Sequence, residues 1–479
     1  MKKYVLVIGC LWMLTLAAAA QVNNYYVNSS TGSDSNNGTS ASPCGVGCGP
    51  WKTWVKADTS ARLGTVGTTV HFTDGTYVGS TSNSCGGLGN ASFCITHGGT
   101  STQPFIYQCD NGLNGNAGHP GSPGHCLLRQ SADVNNPQLL GTTGTNYAVI
   151  QGFDIGGDGS HPATQVQAAV LIQAKDGTGN HLDVSYNYLH DVSTNSPAGN
   201  NPNGEGAGCP PQGVITYNMG FPATPGRIPT GGRFVGNFVN NGGDVKNAAC
   251  NEYHGLYIGA GPNIVVQNNV VGNVPGSGIK MYASNCQSVI SNNTVFHTGW
   301  WGILVVSSHE TRNDGCMGLG IPNGQSTIKN NIVVNTGFNK SCGAIAEGSG
   351  SGANLYANNL LIGNQSGQNV PVVNCSTTPV PSPSLVTANM SASNSGATTA
   401  NTFISYLDNG AGDYHLKAGS VAIGAGSTGC ALGGISPCTP ATYFAGLARP
   451  SPPSIGTDEL GTSATQPPDA PTNLSAIVQ

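Results

Sequence analysis

Charge is scarce in this chain. Of 479 residues only 8% are Asp, Glu, Lys or Arg, with 16 basic against 21 acidic side chains and a net charge of −5. Such a balance supplies no basic field, so nucleic acid is not expected as a partner. Aromatic residues stand at 7% and methionine occurs 6 times. The sequence holds no phosphate loop, no dinucleotide fingerprint, no Ser-His-Asp signature and no zinc-type CxxC with histidine companions, which sets aside nucleotide, triad and zinc chemistry. No apolar run after the N-terminus is long enough to cross a bilayer, so no membrane span is expected.

What is present is a leader, an even set of cysteines and a great deal of glycine. Lys2 and Lys3 precede an apolar run from Tyr4 to Leu16 and a small-residue stretch from Ala17 to Ala20. This is the pattern of a signal peptide over residues 1–20, cleaved near Gln21, and it predicts a secreted protein, extracellular or periplasmic. Of 15 cysteines, 14 remain once Cys10 leaves with the leader. In an oxidising compartment they are expected to form disulfides that pin loops, with a connectivity the spacing does not decide. Gly 71 and abundant Asn, Ser and Thr describe one long turn-rich β protein, expected as a monomer, over residues 21–460, with a linker-like tail at 461–479.

Between His254 and Asn364 one phrase recurs. A short apolar strand opened by glycine (Gly255 to Ile258, Gly278 to Tyr282, Gly302 to Val306) is followed by another that closes on an asparagine pair, as at Asn268-Asn269, Asn292-Asn293, Asn330-Asn331 and Asn358-Asn359. Gly278 to Gly302 and Asn269 to Asn293 are both 24 residues. Alternation within a copy (Ile279 in, Lys280 out, Met281 in) is the period of a half-buried strand. A copy this short cannot bury its apolar side alone, so the copies must stack. The expected fold is therefore all-β, a solenoid of coils, regular over about 140–365. Asn187, Asn237, Asn269, Asn293, Asn331 and Asn359 form a column in which each side chain bonds its neighbour one coil away, about 4.8 Å distant. Their role is structural. Column intervals of 50, 32 and 38 residues mark loops at 200–211, 242–251 and 307–325.

The N-terminal half carries an ordered set: Tyr25 to Val27, Gly32 to Asp34, Asn37 to Thr39, Trp51 to Thr53 with Ala57, Val70 to Tyr77, Pro104 to Tyr107 and Val149 to Ile155. Near the other end stand Asp413 to Lys417, Gly419 to Gly426, Ala448 to Pro450 and Gly456 to Asp458. With these the chain resembles exported bacterial right-handed parallel β-helix proteins of the pectate-lyase superfamily, especially polysaccharide lyase family 9. Trp51 to Arg62 reads as a helix capping the open N-terminal end of the solenoid. Residues 403–460 read as a C-terminal cap in which His415 and Lys417 are structural.

The scarce charges gather around the strands that follow and precede two of the loops. Tyr257, Lys280 and Leu304 are expected to point outward in one column. Asp244, Lys246, Glu252 and His254 come from the first loop, and His309, Glu310, Arg312 and Asp314 from the second. The resemblance implies a polysaccharide substrate, calcium that neutralises a uronate carboxylate, a Lys or Arg that removes the C5 proton, and β-elimination of the C4 oxygen. Carried onto this chain, Lys280, Lys246 and Arg312 are the candidate catalytic residues. Asp244 and Glu252 are the candidate calcium ligands, with Gly243 to Lys246 the nearest match to the family's Asp-Gly-x-Asp-x-Lys. Tyr257, His254, Trp301 and His309 are candidates for sugar contact. Two other readings stay open. A β-helix glycoside hydrolase would use paired carboxylates; the chain has His254-Gly255 as a fragment of a Gly-His-Gly motif, and no Asp-Asp dipeptide. A non-catalytic glycan-binding β-helix would use Trp300, Trp301, Tyr253, Tyr257 and Tyr282 as stacking surfaces.

Overall fold

A computed structural model describes residues 22–459, apart from 63–66, 86–89, 115–123, 135–137, 174–180, 196–212, 219–229, 248–249, 251, 260, 283–284, 307–315, 317–323, 341, 349–351, 366–370, 374, 377, 381, 383, 392–394 and 431–434. The leader, the tail and most of the second loop thus lie outside the described residues.

Three long sheets of eleven, ten and ten strands take nearly every strand, and the chain visits them in rotation. Val265–Gln267 lies in the first sheet, Val270–Val274 in the second and Ile279–Met281 in the third. The next coil repeats this with Val289–Ser291, Thr294–Thr298 and Ile303–Val305. Pairing between the two coils is parallel, with Val266 beside Ile290, Val271 beside Val295 and Ile279 beside Ile303. Those six side chains, with Leu256, are fully buried in one continuous interior. The alternation seen in sequence is therefore what fills the lumen of a parallel β-helix.

The two recurring signals have separate causes. A Cβ on Gly255, Gly278 or Gly302 would come within 2.3, 2.3 and 2.2 Å of a methyl of Val271, Val295 or Val333, each in the following coil. The turn into the third sheet packs too closely on the next rung for any side chain. The first asparagine of each pair, Asn268, Asn292, Asn330 and Asn358, has φ between 51° and 56°. This left-handed turn between the first and second sheets is one that asparagine tolerates.

The second asparagine turns inward and builds a ladder. Asn187 Nδ2 donates to Asn237 Oδ1 at 3.2 Å, and the chain of bonds runs on through Asn269 (3.0 Å), Asn293 (2.9 Å), Asn331 (2.9 Å) and Asn359 (2.9 Å). It ends one rung later than the repeat suggested, at Asn389, 2.8 Å from Asn359 Nδ2. A further coil therefore exists beyond Gly363, with strands at Val372–Val373, Leu385–Thr387 and Met390–Ser391. Asn293 shows why the residue type is needed: its Oδ1 accepts the Asn269 backbone N–H and Nδ2, and its Nδ2 donates to Val266 O and Asn331 Oδ1. Asn293→Leu keeps the branched shape, removes four buried hydrogen bonds and takes away the acceptor of the Asn269 backbone N–H. A buried polar group left unpaired costs about 1–3 kcal/mol, so the urea midpoint should fall well below the parent's. An unchanged midpoint would show that the ladder does not hold the coils.

Helix α1 (Trp54–Ser60) is shorter than the sequence suggested. Thr53 caps it by accepting the Lys56 N–H at 3.1 Å. Trp54 enters the lumen and stacks on Tyr107 and Phe72 at 5.1 and 4.9 Å, while Asp58, 4% exposed, accepts the Tyr107 hydroxyl at 2.7 Å.

The segment expected as the C-terminal cap folds back along the outer face of the second sheet. Phe403, Tyr414, Leu416, Ala422 and Ile455 bury Phe238, Val270, Phe296, Ile332 and Leu360, which point outward from that sheet. Asn268 Nδ2 donates to Thr442 O, and Arg449 donates to both Asn268 Oδ1 and Glu459 at 2.7 Å. His415 lies 2.6 Å from Asp413 and 3.3 Å from Asp458, so the two halves of the closing motif meet in one partly buried ionic cluster.

Every described cysteine is in a disulfide. Six pairs are Cys44–Cys48, Cys85–Cys94, Cys109–Cys126, Cys286–Cys316, Cys342–Cys375 and Cys430–Cys438. Among the described residues no helix is long and apolar enough to cross a membrane.

Candidate functional site

On the third sheet Leu256, Ile279 and Ile303 face the lumen, so the residues that follow them face out. Tyr257, Lys280 and Leu304 pair in register across three successive strands, as the alternation required. Lys280 is not loosely solvated: it is 8% exposed. Its Nζ donates to Glu252 Oε2 at 2.9 Å and lies 3.1 Å from His254 Nε2. The ring centroids of Tyr257 and Tyr282 are 5.3 and 5.1 Å from the same nitrogen. Aromatic faces attract a cation at such distances and exclude water from its flanks.

His254 is 1% exposed and completes the group from behind, with Nε2 at 3.6 Å from Glu252 Oε2. Its other nitrogen, Nδ1, accepts the Ser277 backbone N–H at 2.9 Å, so the ring is tethered to the coil that carries Lys280. Burial, reinforced by the Lys280 charge, brings His254 down to about 4 against the opposing pull of Glu252, and the imidazole is neutral near neutral pH. Burial pushes Glu252 up, but the nearby His254 N–H and the Lys280 charge outweigh it and bring the carboxyl down to about 2. The constellation therefore holds an ionised carboxylate, a neutral imidazole and a lysine side chain between two phenols.

The other sequence candidates are placed as follows. Asp244 Oδ1 accepts the Lys246 N–H at 3.1 Å, a local turn that leaves the Lys246 side chain exposed. Trp301 is 8% exposed and stands edge-on to Trp300, within an outer apolar cluster that includes Leu304, Val306, Ala346 and Val372. Tyr282 packs on the margin of that cluster, so the site has an apolar flank on its C-terminal side. His309 and Arg312 lie outside the described residues, as do Glu310 and Asp314.

Calcium requires several oxygen ligands at one point. Glu252, expected as one of them, instead gives its carboxylate to Lys280 and His254. Among the described residues the group of His, Cys, Asp or Glu atoms close enough to share an ion is Asp74 with Cys109 and Cys126, and those two cysteines are bonded to each other. Among the described residues, no three His, Cys, Asp or Glu side chains close enough to share an ion lie at Lys280.

Sequence reasoning missed two features. The Ser277 tether is a backbone contact, for which no side-chain signal exists. A second charged group stands on the outer face of the second sheet. Arg129, 2% exposed, donates to Asp154 at 2.7 Å and Asp158 at 2.9 Å; His190 bridges Asp154 at 2.9 Å and Asp191 at 2.6 Å, with Tyr188 stacked on its ring at 4.2 Å. Arg129 and Asp154 are 25 residues apart and Asp154 and His190 are 36 apart, and these three meet only because consecutive coils stack.

No protein-family model matches the chain, and no curated protein matches it. Among solved structures it is similar to pectate lyase Pel9A, at 14% identity and a TM-score of 0.42, over 92% of this chain and 97% of that one. Similarity to an alginate lyase from Paenibacillus sp. str. FPU-7 is 12% identity and a TM-score of 0.39, over 70% of this chain and 93% of that one. A rhamnogalacturonan lyase gives 15% identity and a TM-score of 0.37, over 81% and 91%. By its own three sheets of stacked parallel strands, this chain is a parallel β-helix protein.

Proposed function

We propose that this is a secreted, carbohydrate-active protein that cleaves a uronate-containing polysaccharide by β-elimination, with Lys280 as the base. The observation that carries the reading is the placement of Lys280: an outward strand lysine, 8% exposed, held by Glu252 and His254 between Tyr257 and Tyr282. In its amine form Nζ takes the proton from C5 of the sugar, and the C–H electrons become the C4=C5 double bond. The C4–O bond breaks, and the departing oxygen takes a proton from solvent. The ammonium so formed finds Glu252 already ionised at hydrogen-bond distance. General-base help of this kind contributes about 10²–10⁴ in rate. The tyrosine rings offer apolar faces on which a sugar ring stacks. The N-terminal leader and the disulfides support export.

Mixing the full mature chain with a panel of uronate polysaccharides, with calcium and with chelator, and following the ultraviolet absorbance of the unsaturated product tests the reading directly. A rise in absorbance on at least one polymer is expected. The Lys280–Glu252 ion pair also fits a second reading, a non-catalytic glycan-binding site in which the lysine is only a fixed cation. Silence on every polymer together with retained glycan binding would select that one.

A further inference from the structure

His254 contacts Lys280 from inside the site, where no sugar reaches a side chain 1% exposed. A neutral imidazole carries one N–H, and its other nitrogen accepts. Nδ1 is the acceptor here, because the Ser277 backbone N–H points at it from 2.9 Å. The proton therefore sits on Nε2. Nε2 faces two atoms, Lys280 Nζ at 3.1 Å and Glu252 Oε2 at 3.6 Å.

Those two distances divide the work. An ammonium and an Nε2–H are both donors, so the 3.1 Å contact between these two nitrogens is a hydrogen bond only when the lysine has a lone pair. Glu252, 2.9 Å from Nζ, is the partner of the ammonium. One neighbour thus suits the amine and the other suits the ammonium, and both are fixed in place. Ser277 holds the ring, and Tyr257 and Tyr282 close the flanks.

We propose that His254 is a positioning residue that presents its Nε2–H to the amine form of Lys280 and so keeps the base ready between Tyr257 and Tyr282. This rests on the lyase reading, in which Lys280 begins the cycle as an amine. His254 touches neither substrate nor reacting carbon. Its neutral state follows from burial, and its tautomer follows from the Ser277 N–H.

The test compares His254→Phe, which keeps a ring and removes both nitrogens, with His254→Gln, whose amide can accept from Ser277 and donate to Lys280. Both are made in the full mature chain, with thermal melting as the control for folding. His254→Phe should lower kcat by about 100-fold with KM changed by less than about twofold, and His254→Gln should recover at least about tenfold of the loss. A purely structural role predicts no difference between two variants of equal stability, and equal kcat values would overturn the proposal. A second arm needs no turnover. Acetic anhydride is applied in trace amount, and acetylation of Lys280 is read by peptide mass spectrometry against exposed Lys246 as an internal reference. Relative labelling should fall roughly threefold or more in His254→Phe and return in His254→Gln, since the reagent reacts with the amine. Unaltered labelling would overturn the proposal. If the parent chain cleaves no uronate polymer while the labelling pattern holds, the lyase reading fails and the contact between His254 and the Lys280 amine stands.

Discussion

Lys280→Ala is expected to abolish product formation, lowering kcat by about 10²–10⁴ while the protein still folds. Lys280 is an outward residue whose loss opens no hole in the lumen, because the interior of that strand is made by Ile279 and Met281. Glu252, left without its partner, keeps 29% exposure and can hydrate. Lys280→Arg separates the two readings of the site. Arginine keeps a cation beside Glu252 but gives up its proton far less readily than lysine. If the lysine is the base, the arginine variant should turn over far more slowly than the parent while still binding glycan. Turnover in either variant close to the parent's, measured as the initial rate of ultraviolet absorbance, removes Lys280 from the chemistry.

The largest expected effect on stability lies at the other charged group. Arg129→Ala leaves Asp154, 4% exposed, buried without its guanidinium partner, and breaking a buried pair from one side costs about 3–5 kcal/mol. The same network should give a pH-dependent stability with two edges. Burial disfavours the charged form of His190, but its bonds to Asp154 and Asp191 outweigh that and raise it above 6.5. Burial works in the opposite sense on Asp154 and Asp191, and the His190 contacts outweigh it and lower both below 3.8. A raised histidine contributes in full below its unfolded value and loses its contribution as pH rises through the folded one. Lowered carboxyls contribute above their unfolded value and lose it as pH falls through the folded one. The contribution should therefore be greatest between about pH 4 and pH 6.5 and decline on both sides. Urea midpoints measured across that range in the parent and in His190→Gln check this. Parallel curves for the two proteins would show that the network does not set the pH dependence.

How much of this was legible beforehand depended on how local the cause was. The alternation at Ile279, Lys280 and Met281, the glycines before each third-sheet strand and the asparagine pairs are all settled within one coil or between neighbours, so they repeat and can be read. Asn389 was passed over because the residue before it is Ala388, not asparagine, although Ala388 has the same left-handed φ of 51°. The packing of residues 403–459 against Phe238 and Phe296 could not be read, since nothing in an apolar motif says whether it closes the end of a rod or lies along its side.

The site divides the same way. That Lys280 points outward beside Tyr257 followed from a period of two. That Glu252, rather than Asp244, would face Lys280 did not, because Glu252 and Lys280 are 28 residues apart, with a full coil of strands between them. Sequence by itself determined a solenoid of stacked β-coils, since so short a period buries its apolar face only by stacking, and the resemblance to β-helix proteins implied its parallel winding. Tertiary structure alone decided which charges meet: side chains on successive coils come within 3 Å only after the loops between them have fixed each coil's rotation about the axis. Hence it is the stacked molecule, with Ser277 holding His254 and His254 against Lys280, that sets the surroundings of this lysine.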